Sequence, residues 1–183
     1  MAEPGSASRA GYVHDMAVVR RIYEALRAAD ITFAAYVPDS LNHPLVRLLE
    51  DDPAVVCVAC SREDEGVAMA MGAWLGGRWP VVLMEGSGLG MSGLALARGI
   101  AQRTPLLILA SHNSALGEMH DYHAATRLVT EPTLRALNIP YVVVPDGREA
   151  PRLIREAQLT VRGQLMPVAV LFPRHSLAAE EGA

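Results

Sequence analysis

Residues 61–77, SREDEGVAMAMGAWLGG, constrain the possible fold more than any other stretch of the chain. Three consecutive acids at positions 63–65 follow a serine, and every residue after them is apolar or glycine. Ser61 with Asp64 three positions later predicts a capping box and a helix that begins near Arg62, and acids suit the positive end of a helix dipole. A helix without a polar face is typical of a buried element, so we expect this helix to be packed on all sides.

Short apolar runs alternate with helical patterns along the whole chain. The predicted strands are residues 31–37, 55–59, 80–84, 105–110, 141–144 and 167–172. The predicted helices are residues 14–29, 41–49, 62–77, 92–101, 132–137 and 149–161. Most strands are continuous apolar runs, which is typical of a parallel sheet covered on both faces. The sequence predicts one doubly wound α/β domain with a mostly parallel sheet over residues 12–175. Residues 1–11 and 176–183 are expected to be mobile tails. Ligands are expected to bind where the strands end.

The composition excludes several classes of function. Hydrophobic residues make up 51 % and charged residues 20 % of the 183 residues, as in globular proteins. A net charge of −4 does not favour binding to nucleic acid or to an anionic membrane. No apolar run is long enough to span a bilayer, and the polar N-terminus does not resemble a signal peptide, so we expect a cytoplasmic protein. Cys57 and Cys60 lack further metal ligands nearby and are expected to be ordinary buried thiols.

A glycine-rich segment, residues 86–90 (GSGLG), follows the third predicted strand and precedes a helix. Glycines there allow unusual backbone angles and the close approach of a ligand. The segment fails as a dinucleotide motif, because its third glycine comes one residue early and no strand-end acid follows at the usual distance. A tight turn that binds no ligand is the alternative.

The segment Pro38-Asp39-Ser40 ends the first strand at the same edge of the predicted sheet. A helix N-cap is its simplest role. The free amides of that helix start also suit an anionic group, and His43, one short turn further on, offers a cation.

A long polar loop over residues 111–126 also follows a strand. Its polar residues are His112, Asn113, Glu118, His120, Asp121 and His123. Long loops in compact domains are often functional, so we expect this one to line the mouth of a site, with His112 as its main candidate. Two histidines three apart are a weak indication of a metal, and no metal site is predicted. Arg174 and His175, after the last strand, are expected to be solvated.

These motifs together resemble the pyrimidine-binding (PYR) domain of thiamine diphosphate enzymes. In that family a glutamate opens a small-residue helix and a glycine follows nine positions later, as Glu63 and Gly72 do here. R-E-D-E-G, with P-D-S upstream and G-S-G-L-G downstream, is most similar to the sulfopyruvate and phosphonopyruvate decarboxylases. The resemblance extends over about residues 18–144.

The resemblance implies roles for particular residues. Glu63 would hydrogen-bond the pyrimidine ring and favour the imino tautomer that removes the thiazolium proton, although a solvated first-turn acid is the alternative. The residues that would surround the pyrimidine are Gly86, Ser87, Gly88 and Leu89. The residues that would contact the substrate are Ser40, His43 and His112.

The resemblance also implies that the diphosphate-binding part of the cofactor site is supplied by another domain. Such enzymes bind the diphosphate through Mg²⁺ on a second domain marked by G-D-G and a later asparagine, whereas this chain has only Asp146-Gly147. We therefore expect thiamine diphosphate to be shared with a partner β subunit that holds the Mg²⁺, in a hetero-oligomer (α2β2 or larger).

The implied activity is that of a lyase, a carboxy-lyase that converts a small anionic 2-oxo acid such as sulfopyruvate or phosphonopyruvate into an aldehyde and CO₂. Acyloin-forming carboligation, a non-catalytic assembly subunit and a flavodoxin-like nucleotide-binding module are the alternatives. Family decarboxylases often carry Q-N-S-G-L-G-N at the place of residues 85–91. This chain has Glu85, Gly86 and Met91 instead of the glutamine and the two asparagines. The difference concerns the identity of the substrate more than that of the cofactor.

Overall fold

The strands of this protein form one parallel sheet. A computed structural model describes residues 13–113, 116, 118 and 120–178. The strands are β1 (Ile31–Tyr36), β2 (Val56–Ala59), β3 (Trp79–Glu85), β4 (Leu107–Ser111), β5 (Tyr141–Val143) and β6 (Val168–Phe172). They lie in the order β2-β1-β3-β4-β6-β5, and every neighbouring pair is parallel.

Helices cover both faces of this sheet. They are α1 (Met16–Ala28), α2 (His43–Glu50), α3 (Glu63–Leu75), α4 (Ser87–Met91), α5 (Gly93–Ala101), α6 (Ala124–Ala136) and α7 (Ala150–Gln164). Short 3₁₀ turns lie at Asp121–His123, Gly147–Glu149 and Arg174–Ser176. The apolar sides of α1, α2 and α7 pack on one face, and those of α3 to α6 pack on the other.

Successive residues of the central strands point to opposite faces, and both faces are buried. In β3, Leu83 joins the core beneath α1, α2 and α7, whereas Val82 and Met84 join the core beneath the other helices. This two-sided burial explains the continuous apolar strands. The predicted doubly wound α/β domain is confirmed.

The described chain begins and ends beside α1. The Asp15 side chain caps α1 by accepting hydrogen bonds from two backbone N–H groups. The Asp15 N–H itself donates to the Leu177 carbonyl at 2.9 Å. Ser176 and Leu177, assigned to a tail from the sequence, are buried. Residues 1–12 and 179–183, which include the expected N-terminal tail, lie outside the described residues.

None of the helices within the described ranges combines the length and the hydropathy needed to cross a membrane.

The helix α3, which was predicted to be buried on all sides, is partly exposed. In α3 only Gly66, Val67 and Ala70 are buried, while Met69 is 41 % and Leu75 70 % exposed. The prediction is wrong for the chain by itself, because α3 rests on β1 and β3 and touches α4 and α5, and no described element lies over its outer side.

The predicted capping box is also wrong. Arg62 is the N-cap of α3 and its side chain caps nothing, so Ser61 is not in the capping position. Instead, the Ser61 N–H donates to Glu65 Oε2 at 2.8 Å. Glu65 therefore ties the residue before the N-cap to the first turn of α3.

Two elements extend further than the sequence indicated. The glycine-rich segment is not a loop, because residues 87–91 form α4. The helix α6 was expected only from Pro132 onward, but it begins at Ala124 and continues through the proline. Proline removes one helical hydrogen bond. Burial of Thr126, Thr130 and Leu134 on one side of α6 offsets that loss.

Two leucines of α5 provide a matched test of this packing. Leu96 is fully buried, whereas Leu94 is 69 % exposed. We expect Leu96→Ala to lower the free energy of unfolding of the isolated chain by about 2–5 kcal/mol, because it removes buried methyl groups and leaves a cavity. Leu94→Ala should change it by less than about 0.5 kcal/mol. Urea denaturation followed by circular dichroism measures both, and equal losses would contradict the described orientation of α5.

Candidate functional site

A cavity of about 500 Å³ opens at the carboxyl edge of the sheet. Its polar lining follows the ends of β1, β3, β4 and β6, with additions from the starts of α3 and α6. The polar side chains that line it are those of Asp39, Ser40, Glu63, Glu85, Ser87, Asn113, His120, Tyr122, His123, Thr126 and Arg174. A cavity of this size suits a small organic ligand or one end of a cofactor.

The strand order explains why the cavity lies at this edge. From β1 the chain crosses to β2 on one side, and then to β3 on the other side of β1. The connections after β1 and β3 therefore diverge and leave a crevice at their carboxyl ends, where open α/β sheets bind ligands. Asp39 and Ser40 follow β1, and Glu85 is the last residue of β3.

Glu63, the first residue of α3, reaches the cavity against the backbone of α4. A Cβ added to Gly88 would lie 2.8 Å from Glu63 Cδ and 2.9 Å from its Cβ. Only glycine at position 88 therefore leaves room for this side chain. Within the described residues nothing donates a hydrogen bond to the Glu63 carboxylate or forms an ion pair with it. Packing positions Glu63, and its oxygens remain open to a ligand.

Glu85, in contrast, has its hydrogen-bonding capacity satisfied by neighbouring side chains. Its carboxylate accepts hydrogen bonds from the hydroxyl of Ser87, from Asn113 Nδ2 at 3.2 Å and from Thr126 Oγ1 at 3.0 Å. These donors come from α4, from the segment after β4 and from α6. Glu85 therefore joins three elements and is held in one orientation.

Asp39 is a third acid in the cavity. Its Oδ2 accepts hydrogen bonds from the backbone N–H of Asn42 at 3.2 Å and from Asn42 Nδ2 at 3.0 Å. The same Nδ2 lies 3.2 Å from the Met84 carbonyl, so Asn42 links Asp39 to the end of β3. Burial raises the pKa of Asp39 above its usual value, and the nearby charge of Glu85 acts in the same direction.

The cavity lining also includes two imidazole rings, a phenol ring and a guanidinium group. His120, Tyr122 and His123 form a cluster of stacked and edge-on rings, and Arg174 follows β6. His123 Nδ1 lies 3.2 Å from Glu118 Oε1. Burial alone would raise the pKa of Glu118, but hydrogen bonds from the His120 backbone and from His123 outweigh it and lower that pKa. Asn113 Nδ2 lies 3.2 Å from Glu85 Oε1 and 3.4 Å from His123 Nε2, so acids and histidines are neighbours in the cavity.

The structure brings three of the expected site residues to the cavity, namely Ser40, Glu63 and Ser87. The other residues of the glycine-rich segment pack inside the protein. A Cβ on Gly86 would meet the Ser111 carbonyl at 2.7 Å and Thr130 Oγ1 at 2.8 Å, and Leu89 is fully buried in the core. Gly86 and Gly88 therefore allow close packing of the protein's own groups.

The two expected histidines do not line the cavity. His43 is exposed at the first turn of α2. His112 is buried, and its Nε2 lies 3.3 Å from Glu131 Oε1 on α6. Burial lowers the pKa of His112, although Glu131 acts in the opposite direction. The place after β4 that faces the cavity belongs to Asn113 instead.

Asn113, His120 and His123 belong to the loop that was expected to line the mouth of a site, and all three line the cavity. Glu85 was not expected to line it, and Arg174 was expected to be solvated. Glu85, Asn113 and Arg174 stand at or just after the carboxyl ends of strands, which is a signal that sequence reasoning can use. The contact between Thr126 and Glu85 joins residues 41 positions apart and has no such signal.

Metal and thiol chemistry find no support in the described part of the chain. There, no group of three or more His, Cys, Asp or Glu side chains is arranged to hold a metal ion. Both cysteines are free thiols, and burial raises the pKa of Cys60 and that of Cys57, the latter to about 11. Neither thiol forms a thiolate readily at neutral pH.

The raised pKa of Asp39 predicts a pH-dependent stability. The folded chain binds a proton at Asp39 more tightly than the unfolded chain does, so this stabilisation is lost as pH rises through the folded pKa. We expect Asp39→Asn to gain stability relative to the natural chain between about pH 4 and 8, by about 1.4 kcal/mol for each unit by which the pKa is raised. Urea denaturation across that range measures the difference. Asp51→Asn, which removes an exposed carboxyl, should show a smaller change, and parallel profiles for both variants would contradict the prediction.

Comparison with known proteins supports the resemblance inferred from the three motifs. The profile of the family described as "Thiamine pyrophosphate enzyme, N-terminal TPP binding domain" matches residues 16–128. A protein of Methanococcus maripaludis, named sulfopyruvate decarboxylase subunit alpha, is 31 % identical over 152 residues, which are 82 % of this chain and 91 % of that protein. Its namesake from Methanothermobacter thermautotrophicus is 32 % identical over 74 % of this chain and 82 % of its own length.

Longer proteins contain the same domain as a part. A phosphonopyruvate decarboxylase of Streptomyces viridochromogenes is 26 % identical over 85 % of this chain, which matches only 40 % of that protein. A solved structure of the 2-oxoglutarate:ferredoxin oxidoreductase from Magnetococcus marinus aligns with 97 % of this chain and 32 % of its own, at a TM-score of 0.68 and 14 % identity. That likeness concerns the fold alone. Because the family profile matches more than half of the chain, this protein belongs to the thiamine pyrophosphate enzymes and carries their N-terminal TPP binding domain.

Proposed function

We propose that this chain is the α, pyrimidine-binding subunit of a two-component thiamine diphosphate-dependent decarboxylase. Its substrate would be a small anionic 2-oxo acid such as sulfopyruvate or phosphonopyruvate, and its products an aldehyde and CO₂. The two relatives that this chain matches over most of their length, 91 % and 82 %, are both named sulfopyruvate decarboxylase α subunits.

The observation that carries the proposal is the open carboxylate of Glu63 inside the cavity. Glu63 opens the small-residue helix that defines the family resemblance, and Gly88 leaves space for its side chain. Neither oxygen has a hydrogen bond from the described protein, so the group is free to bind a ring nitrogen. The residues present therefore fit the pyrimidine end of thiamine diphosphate.

Glu63 would hold that pyrimidine and share a proton with its ring nitrogen. Ser87 precedes the Gly88 against which Glu63 packs, and its hydroxyl, which donates to Glu85, also lines the cavity. When bound, thiamine diphosphate supplies a nucleophilic thiazolium carbon and an electron sink for the bond to the departing carboxylate.

Arg174 would orient an anionic substrate. Arg174, His120 and His123 line the cavity, and Ser40 offers a hydroxyl there. An acid with two negative groups would place its charges toward Arg174 rather than toward Asp39 and Glu85.

Asp39 would keep a proton available within the cavity. Conversion of a 2-oxo acid anion into an aldehyde and CO₂ takes up one proton for each molecule converted. A half-buried carboxyl whose pKa is raised by burial and by the charge of Glu85 retains a proton at higher pH than an exposed one.

The diphosphate end would belong to a partner subunit. Asp146 and Gly147, the only trace of a diphosphate motif, are used structurally, since Asp146 caps a 3₁₀ turn, pairs with Arg148 and precedes a buried glycine. The relatives' designation as α subunits implies a second subunit. We propose that this β subunit holds the Mg²⁺ and the diphosphate in a hetero-oligomer of α2β2 composition or larger.

Replacement of Glu63 tests the catalytic proposal. In the complex reconstituted from both subunits, Glu63→Gln should reduce CO₂ release from sulfopyruvate by about 100-fold or more, because the amide cannot share the proton. Assembly of the complex should be unchanged. Glu65→Gln is the control, since Glu65 is exposed and contacts the Ser61 backbone, and it should keep the natural rate within about twofold. A Glu63→Gln complex that remains fully active would overturn the proposed function.

Gly88→Ala tests how Glu63 is positioned. The added methyl would overlap the Glu63 side chain and force it from its place, so we expect at least about a tenfold loss of CO₂ release in the complex, since small misplacements of reacting groups are costly. Gly163→Ala is the control, because a Cβ there meets nothing within 4 Å. Circular dichroism verifies that both variants fold. An unchanged rate in Gly88→Ala would show that another feature positions Glu63.

A further inference from the structure

A second cavity of about 500 Å³ opens between α1 and α7. These two helices pack on the face of the sheet opposite to α3, and each ends a few residues before a strand begins. The lining includes Ala29 and Asp30, which stand between the end of α1 and the start of β1, so the cavity extends to the amino edge of the sheet. Among the described residues, none lines both this cavity and the one at the carboxyl edge.

Most of the surface of this second cavity is apolar. The helix α1 contributes small side chains, among them Ala25 and Ala28, and α7 contributes Pro151 and Leu159, the latter 65 % exposed. Short side chains on α1 beside longer ones on α7 leave space between two helices that are otherwise in contact. An apolar cavity of this size with a few polar groups suits a small organic ligand.

Two lining residues of α7 have buried polar atoms without partners. Gln158 is only 3 % exposed, and its Nε2 donates a long hydrogen bond of 3.4 Å to the Ala29 carbonyl. Within the described residues its Oε1 accepts no hydrogen bond. Arg162, one turn later, donates from Nη2 to the Ala29 carbonyl and to Asp30, but its buried Nε donates to nothing in the same part of the chain. A ligand with complementary groups would satisfy such atoms, which are costly to leave unpaired.

The charged groups of the lining favour an anion. Arg21 and Arg155 are exposed, and neither forms an ion pair or a hydrogen bond within the described residues. Of the two acids that line the cavity, Asp30 is already paired with Arg162 at 2.9 Å, and Glu24 is the other. Two unpaired guanidinium groups therefore outweigh one unpaired carboxylate, and guanidinium groups suit carboxylates in particular.

We propose that the cavity between α1 and α7 is a second ligand site, which binds a small organic carboxylate with an apolar body and a hydroxyl or amino donor. The carboxylate contacts Arg155 and Arg21, the apolar body covers the alanines of α1, and the donor meets the amide oxygen of Gln158. The terminal torsion of a glutamine is broad, so this amide turns toward a ligand without leaving its rotamer. The site is separate from the thiamine diphosphate site in both position and residues.

Three related compounds test the ligand chemistry on the full chain. The probe para-hydroxyphenylpropionate carries a carboxylate, an apolar body and a hydroxyl. Phenylpropionate lacks the hydroxyl, and para-hydroxyphenylpropionamide lacks the charge. We expect the first to bind with a dissociation constant below about 1 mM and the other two each at least about threefold more weakly, because each omits one of the proposed contacts. Isothermal titration calorimetry at neutral pH measures the three constants.

Substitutions on α7 locate the binding. Arg155→Gln should weaken binding of the charged probe at least about threefold and leave binding of the amide nearly unchanged. Gln158→Leu keeps the size of the side chain and should abolish the preference for para-hydroxyphenylpropionate over phenylpropionate. The matched control is Arg152→Gln, since Arg152 is exposed on the same helix, pairs with Glu149 and Glu156 and does not line the cavity. Its affinity should stay within about twofold of that of the natural chain. Thermal unfolding of each variant verifies its fold.

Three results would contradict this second site. The first is that none of the probes binds at concentrations up to about 10 mM. The second is that Arg155→Gln and Gln158→Leu both bind para-hydroxyphenylpropionate as the natural chain does, or that Arg152→Gln loses as much affinity as they do. The third is a natural chain that dimerises in sedimentation velocity and becomes monomeric through Leu159→Glu, because a second copy of this chain would then fill the cavity. None of these measurements involves CO₂ release, so they are independent of the proposed function.

Discussion

Two-sided burial of the parallel sheet is the constraint on which the rest of this structure depends. The strands offer apolar side chains to both faces, so helices must cover both, and polar groups are left mainly to the strand ends. Carboxyl ends of parallel strands meet at one edge. Residues that follow β1, β3, β4 and β6 therefore share one cavity, although they are far apart in the sequence.

Within that cavity, three carboxyl groups experience three different environments. Glu63 is held by packing against Gly88 and its oxygens are open. Glu85 is saturated by donors from Ser87, Asn113 and Thr126 and serves to join three elements. Asp39 is half-buried and accepts hydrogen bonds from Asn42, and burial raises its pKa. One group is thus suited to bind a ring nitrogen, one to fix the wall and one to keep a proton.

The helix α3 connects this cavity to the sheet. Its first residue lies in the cavity, its inner side packs on β1 and β3, and its outer side is apolar and uncovered. The small residues Gly66 and Ala70 let α3 lie close to the sheet.

The sequence by itself determined the alternation of strands and helices, the parallel sheet, the family and the position of Glu63 at a helix start, because these follow from local periodicity and short motifs. The tertiary structure alone decided that Gly88 makes room for Glu63, that Thr126 holds Glu85 and that His112 turns toward Glu131 while Asn113 faces the cavity. It also decided that α3 is exposed, although its composition predicted burial. The physical reason is the same in each case: which groups meet, and which side of a helix is covered, depends on elements that are distant in the chain.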